Sequence, residues 1–195
     1  MQNEQMRQRY AEGRVPWDAP TPPPEIIAIA QTLPVGRGLD LGCGYGRSCI
    51  HLAQLGWQMD GVDYVPQAIA GAIARAAAAN VSDHTSFYLG DATRLDFLTP
   101  TYDLILDIGC MHSFNDEELP RYRDGIVRLL REGGTYLLYA KLFSPTDEDS
   151  PHGVEETAVL SLFQPQLTLT RVERGQTQVE DRPVWQSAWF WFTKN

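Results

Sequence analysis

Three glycines at alternate positions follow directly on an apolar run in the stretch GRGLDLGCGYGRSC, and no other feature constrains the fold so tightly. Glycine tolerates a positive φ and lets another group approach the backbone, so Gly42, Gly44 and Gly46 mark a sharp turn or a close contact. The residues before them predict a strand over Gly38–Leu41, and those after them a helix over Arg47–Leu55. A strand, a glycine turn and a helix in that order bring backbone N–H groups and a helix N-terminus beside whatever binds there. The dinucleotide form of the turn is GxGxxG; here Gly46 comes one residue early and Arg47 stands where the third glycine belongs.

Strand-like and helical patterns keep alternating after this turn, which is the signature of βαβ units and a parallel sheet. Further strands are expected at Gln58–Val62, Ser86–Leu89, Tyr102–Ile108 and Thr135–Leu142, with helices at Pro66–Ala79 and Asp116–Leu130. The strand YDLILDI is apolar enough to be covered on both faces. Gly133 and Gly134 read as the stop of the preceding helix. After the loop SPTDEDSPHG, a short helix over Val154–Phe163 precedes two runs, LTLTRVERGQ and SAWFWFTK, with no helix between them. Two such strands close a sheet as an antiparallel pair. In the last run Val184, Trp185, Ala188, Trp189, Phe190, Trp191 and Phe192 do not alternate with polar residues, which predicts an interior strand buried on both faces. Ahead of the sheet, prolines at 16, 20, 22, 23 and 24 exclude a regular helix and predict an irregular arm. A short helix over Asn3–Tyr10 precedes that arm, and another helix starts near Glu25.

A chain of 195 residues is long enough for one domain with a continuous core, so residues 1–195 are read as a single domain with 1–34 as an N-terminal arm and helix. The net charge of −9 has the wrong sign for a surface that tracks phosphates, and no run of five Lys/Arg occurs, which disfavours a nucleic-acid partner. The polar start MQNEQMRQRY is not a signal peptide, and no apolar run of about 18 residues predicts a membrane span. Cys43, Cys49 and Cys110 form no CxxC pair, and no His/Asp/Glu cluster has ligand spacing, so neither a disulfide framework nor a metal is expected. Reduced thiols fit the cytoplasm.

The ends of the strands carry the polar groups. GVDY puts Asp63 at the carboxyl end of the second strand, where a carboxylate can accept from both hydroxyls of a ribose. LGDATRL puts Asp91 on the next rim, suited to accept from an exocyclic amine such as that of adenine, or to cap a short helix. LDIGCMH brings Asp107, Gly109, Cys110, Met111 and His112 to the fourth. Ligands of open α/β sheets lie in the crevice along such an edge.

The order and spacing of LDLGCGYG, GVD, GDATRL and YDLILDIG, running from Val35 to Leu142, closely resemble the class I S-adenosylmethionine-dependent methyltransferases. That resemblance implies an α/β fold: a three-layer, Rossmann-like, seven-stranded mixed sheet of order 3-2-1-4-5-7-6 with the last strand antiparallel. VPWDAPTPPPE, DIGCMHSF and the aromatic tail look like the small-molecule enzymes of the thiopurine and tellurite-resistance type. The implied reaction is direct in-line transfer of a methyl group from S-adenosyl-L-methionine to a small-molecule S, Se, O or N nucleophile, leaving S-adenosyl-L-homocysteine. The implied cofactor residues are Asp40, Gly42, Cys43, Gly44, Gly46, Asp63, Tyr64, Asp91, Ala92, Asp107 and Gly109. Tyr10, Trp17, Met111, His112 and Phe114 are expected to line the acceptor pocket, with the arm folded over it, in a monomer or homodimer.

Plainer readings stand beside these. The glycines also suit a tight strand–helix connection, Asp40 a hydrogen-bond partner for the loop, and Asp107 the orientation of backbone. Cys43 and Cys49 read as small core side chains, while His51 and His84 read as incidental. His112 is either a structural residue or the group that contacts or deprotonates the acceptor, since imidazole titrates near neutral pH. A non-catalytic binder of S-adenosylmethionine and a nicotinamide-dependent oxidoreductase are the rival functions, the second opposed by Arg47 in the loop.

Overall fold

Gly42, Gly44 and Gly46 all adopt positive φ, at 72°, 56° and 77°, so the alternate-glycine spacing reflects three left-handed turns in five residues. The computed structural model in which they lie describes residues 2–143, 153–180 and 183–195. Its seven strands form one mixed sheet of order β3-β2-β1-β4-β5-β7-β6. The chain divides into two compact units, Met1–Ala92 and Thr93–Asn195.

The first unit opens with helices α1 (Gln2–Ala11) and α2 (Pro24–Thr32), the second started by a proline in its first turn. Strands β1 (Arg37–Leu41), β2 (Gln58–Asp63) and β3 (Thr85–Leu89) run parallel, and their register ends Leu41 against Val62 and Asp63 against Leu89. Their carboxyl ends therefore form one rim. Helix α3 (Arg47–Gln54) buries Ser48, Cys49, Leu52 and Ala53, while α4 (Pro66–Ala78) buries Ala68, Ile69, Ala72 and Ala76. Both stripes follow the helical period, which is why small side chains suffice for close helix–sheet packing.

The second unit holds β4 (Tyr102–Ile108), α5 (Leu119–Leu129), β5 (Leu130–Lys141), α6 (Glu156–Phe163), β6 (Leu167–Thr177) and β7 (Trp185–Lys194). Strand β5 is parallel to β4, and β7 is antiparallel to both β5 and β6, as the helix-free tail predicts. Tyr122, Tyr136, Phe163 and Phe192 pack as one aromatic cluster, with ring centroids 5.0–6.4 Å apart.

Four expectations need correction. The fourth-strand helix, expected from Asp116, begins at Leu119 because Pro120 has no N–H with which to continue the ladder backwards. The turn ahead of it is a reciprocal cap: Asn115 Oδ1 accepts from the amides of Glu117 and Glu118, and Glu118 Oε2 accepts from Asn115 N. Gly133 and Gly134 do not stop that helix, which already ends at Leu129; they lie inside β5 at a shift of register between the Tyr102–Leu130 and Leu104–Thr135 pairs. Finally, β7 is interior to the sheet but fully buried on one face only. Ala188, Phe190 and Phe192 are buried, whereas Trp185, Trp189 and Trp191 on the other face are half-buried, which large indole rings with a polar edge tolerate. The expected SPTDEDSPHG loop lies outside the described residues except for its last glycine, and the short helix begins at Glu156 rather than Val154.

Candidate active site

In the first unit the glycine loop is stitched to the end of β2. The amides of Gly42 and Cys43 both donate to Val62 O, at 2.8 and 3.1 Å, and Gly46 N donates to Cys43 O at 2.9 Å. Gly44 N donates to Asp63 Oδ2 and Val65 N to Asp63 Oδ1, both at 2.9 Å. Asp63 is thus a buried carboxylate held at one oxygen by the loop and at the other by the start of α4. Burial raises its pKa in spite of the amide donors. The Tyr64 amide bonds it as well, so of the roughly four lone-pair sites of a carboxylate about one remains for a further donor. Gly46 is the N-cap of α3, and a Cβ there would lie 2.9 Å from the Phe87 ring.

Asp40 is buried beneath the loop, 3.8 Å from Cys49 Sγ, and its charge helps hold the Arg47 guanidinium ionised against the burial that lowers its pKa. Cys43 Sγ packs over Gly61, where a Cβ would come within 2.9 Å of the sulfur. Burial pushes the pKa of both Cys43 and Cys49 well up, so they are neutral core thiols and not nucleophiles. Tyr64 is half-buried, Ala92 is buried, and Asp91 is exposed.

Tyr10 and Trp17, expected along an acceptor pocket, sit against this loop. Tyr10 is buried with Val65 and Ala68, and its hydroxyl stands 3.0 Å from where a Cβ on Gly44 would be. Trp17 Nε1 donates to that hydroxyl at 3.4 Å, and the Tyr45 ring meets the Tyr10 ring edge-on at 5.1 Å. Arg47 Nη1 donates to Trp17 O at 3.2 Å. The residue that spoils the dinucleotide pattern is therefore a fastener for the arm. Nothing in its sequence position announces that role.

In the second unit Asp107 is fully buried and anchors the turn after β4. Its oxygens accept from Cys110 N at 2.6 Å, from Met111 N at 2.9 Å and from the Tyr122 hydroxyl, which also meets Tyr136 Oη at 2.9 Å. Burial nevertheless lifts the Asp107 pKa from 3.8 to about 6. Every one of these contacts is to its own unit. Gly109 has φ +90°, and the His112 ring lies over it, with Cε1 3.1 Å from where a Cβ would be. Met111 is buried to 2 % exposure, and Phe114 packs on Tyr122 at 5.1 Å. Tyr122 and Tyr136 carry no motif; only their helix and strand periodicity marks them as inward-facing.

The family described as a methyltransferase domain matches residues 39–134, which spans both glycine loop and Asp107 turn. The chain carries a methyltransferase domain over those residues, on the fold of the S-adenosylmethionine-dependent methyltransferases. Among relatives, it is 33% identical over 146 residues to the 2-heptyl-1-hydroxyquinolin-4(1H)-one methyltransferase of Mycobacteroides abscessus, covering 73% of this chain and 64% of that one. The chain spans less than two thirds of the length of the curated relatives it matches first. The solved structure of TehB from Haemophilus influenzae superposes with a TM-score of 0.78 at 17% identity, over 97% of this chain and 67% of that one. The N-methyltransferase NodS from Bradyrhizobium japonicum, solved with S-adenosyl-L-homocysteine, gives 0.72 at 20% identity, over 87% and 84%. At such identities these two structures speak for the methyltransferase fold alone.

Proposed function

We propose that this protein transfers a methyl group from S-adenosylmethionine to a small-molecule nucleophile. One observation carries the reading: the amides of Gly42, Cys43, Gly44 and Gly46 are spent on Val62, Asp63 and Cys43, so the turn is no cradle for a pyrophosphate. What the loop offers a ligand is close backbone approach beside the carboxylates of Asp63 and Asp40. That suits a cationic nucleoside and opposes a nicotinamide dinucleotide.

S-adenosylmethionine supplies a methyl group already activated on a sulfonium. The chain's own part is to bind, orient and exclude water. Asp63 at the end of β2 fits the ribose, Asp91 an exocyclic amine, and Asp40 with the loop backbone the amino-acid end. Asp107 fixes the backbone from Gly109 to Met111. We assign His112 to the acceptor, as base or contact, with Phe114 beside it. Such orientation lowers a barrier by roughly 7–11 kcal/mol at the favourable limit. The relative acting on 2-heptyl-1-hydroxyquinolin-4(1H)-one supports a small organic acceptor. Among the described residues no helix is long and apolar enough to cross a membrane, and three free cysteines support a cytoplasmic setting.

Calorimetry tests the cofactor. S-adenosylhomocysteine should bind and NAD should not, and Asp63→Ala should weaken the former by about 1–3 kcal/mol through lost charge-assisted bonds. Binding of NAD alone would reverse the assignment. Methyl transfer to thiols, selenite, phenols and N-hydroxy heteroaromatics, followed with labelled cofactor, separates an enzyme from a binder. His112→Ala should cut turnover and leave cofactor affinity intact.

A further inference from the structure

The arm is fastened over the glycine loop by residues that the loop itself does not need. Asp18 receives both terminal nitrogens of Arg75 from α4, at 2.9 and 2.7 Å. The same guanidinium lies 4.4 Å from the centre of the Tyr45 ring, and Tyr45 in turn packs against Gly71, where a Cβ would come within 2.4 Å of it. Tyr45 meets Tyr10, and Arg47 holds the Trp17 carbonyl. One loop residue, Tyr45, and two helix residues, Arg47 and Arg75, thus grip the arm at Tyr10, Trp17 and Asp18.

The group delivered by this grip is the Tyr10 hydroxyl. It is buried beside Gly44, its oxygen already accepts from Trp17 Nε1, and no acceptor among the described residues takes its hydrogen. Burial and the nearby Asp63 charge keep the phenol protonated. A buried donor held ready beside a ligand loop gains most when an oxygen of the ligand arrives.

We propose that Tyr10 is a cofactor-contacting residue, donating to an oxygen of the nucleoside ligand on the Gly42–Gly46 loop, and that Asp18 and Arg75 are positioning residues that latch it there. This rests on the proposed reading of that loop, and it moves Tyr10 from the acceptor wall to the cofactor. Closure then belongs to the binding equilibrium: weakening the latch lowers the closed fraction and the apparent affinity by that fraction.

The test compares wild type, Tyr10→Phe, Asp18→Ala and the reversed pair Asp18→Arg with Arg75→Asp. The readouts are S-adenosylhomocysteine affinity, trypsin cleavage after Arg7, Arg9 and Arg14, and melting temperature. Tyr10→Phe should bind about 3- to 10-fold more weakly, as for one lost hydrogen bond. Asp18→Ala should bind about 3-fold more weakly and be cut faster, with little change in melting, since a part-exposed ion pair adds little to folding. The reversed pair should recover part of both losses. Bound ligand should slow cleavage in wild type. If Asp18→Ala is cut faster but binds equally well, the arm is mere packing and the latch is refuted. If Tyr10→Phe keeps its cofactor affinity and changes only the KM for acceptor, Tyr10 belongs to the acceptor wall. Wild type that binds no S-adenosylhomocysteine would remove the proposed function and this inference with it; binding by wild type with all variants unchanged removes the inference alone.

Discussion

Asp107 is fully buried, and that burial decides its chemistry. At the end of β4 its carboxylate accepts from the amides of Gly109, Cys110 and Met111 and from the Tyr122 phenol in a dry core. Its folded pKa of about 6 lies above the ordinary 3.8, so the native state holds the extra proton across that interval. Its contribution to stability is therefore greatest below about pH 4 and is lost as pH rises to about 6, a range worth roughly 3 kcal/mol. Asp107→Asn should be less stable overall, because an amide nitrogen must face an N–H donor. The difference in unfolding free energy, wild type minus variant, should fall between about pH 4 and 6 and be level above. A difference that ran flat through that window in urea titrations would mean that Asp107 is not the titrating group. Asp63 is the contrasting case: GVD placed it at the rim, but its grip on Gly44 and Val65 depends on where the loop folds back.

Among the elements, β1, β2, β4 and the α3 and α4 helices were legible because each is a local pattern with its own period. The start of α5 and the bulge in β5 were not. Pro120 and Gly133–Gly134 signal interruption without saying which element they interrupt, and that depends on pairing with β4. The fit of α4 to the loop is equally non-local, since Gly71 makes room for a ring 26 positions earlier. Gly71→Ala gains helix propensity, up to about 1 kcal/mol, but must displace Tyr45. We expect stability within about 1 kcal/mol of wild type and faster trypsin cleavage at Arg7, Arg9 and Arg14. Unchanged protection of the arm would show that Tyr45 relaxes without releasing it.

At the scale of the whole molecule, the proposed cofactor should stabilise what it binds. At about one hundred times its dissociation constant, S-adenosylhomocysteine adds about 2.7 kcal/mol, a rise in melting temperature of roughly 5–10 °C for a chain this size. NAD should give none. Scanning calorimetry with both ligands decides it, and equal shifts would argue for unspecific binding. The sequence by itself determined the strand–glycine–helix turn, the parallel core and the antiparallel end of the sheet, because periodicity and glycine spacing act over a few residues. Only the tertiary structure decided that the arm lies on the loop, that Arg47 and Arg75 hold it and that Asp107 faces inward. Those outcomes depend on desolvation and on contacts between residues far apart in the chain, which no local pattern encodes.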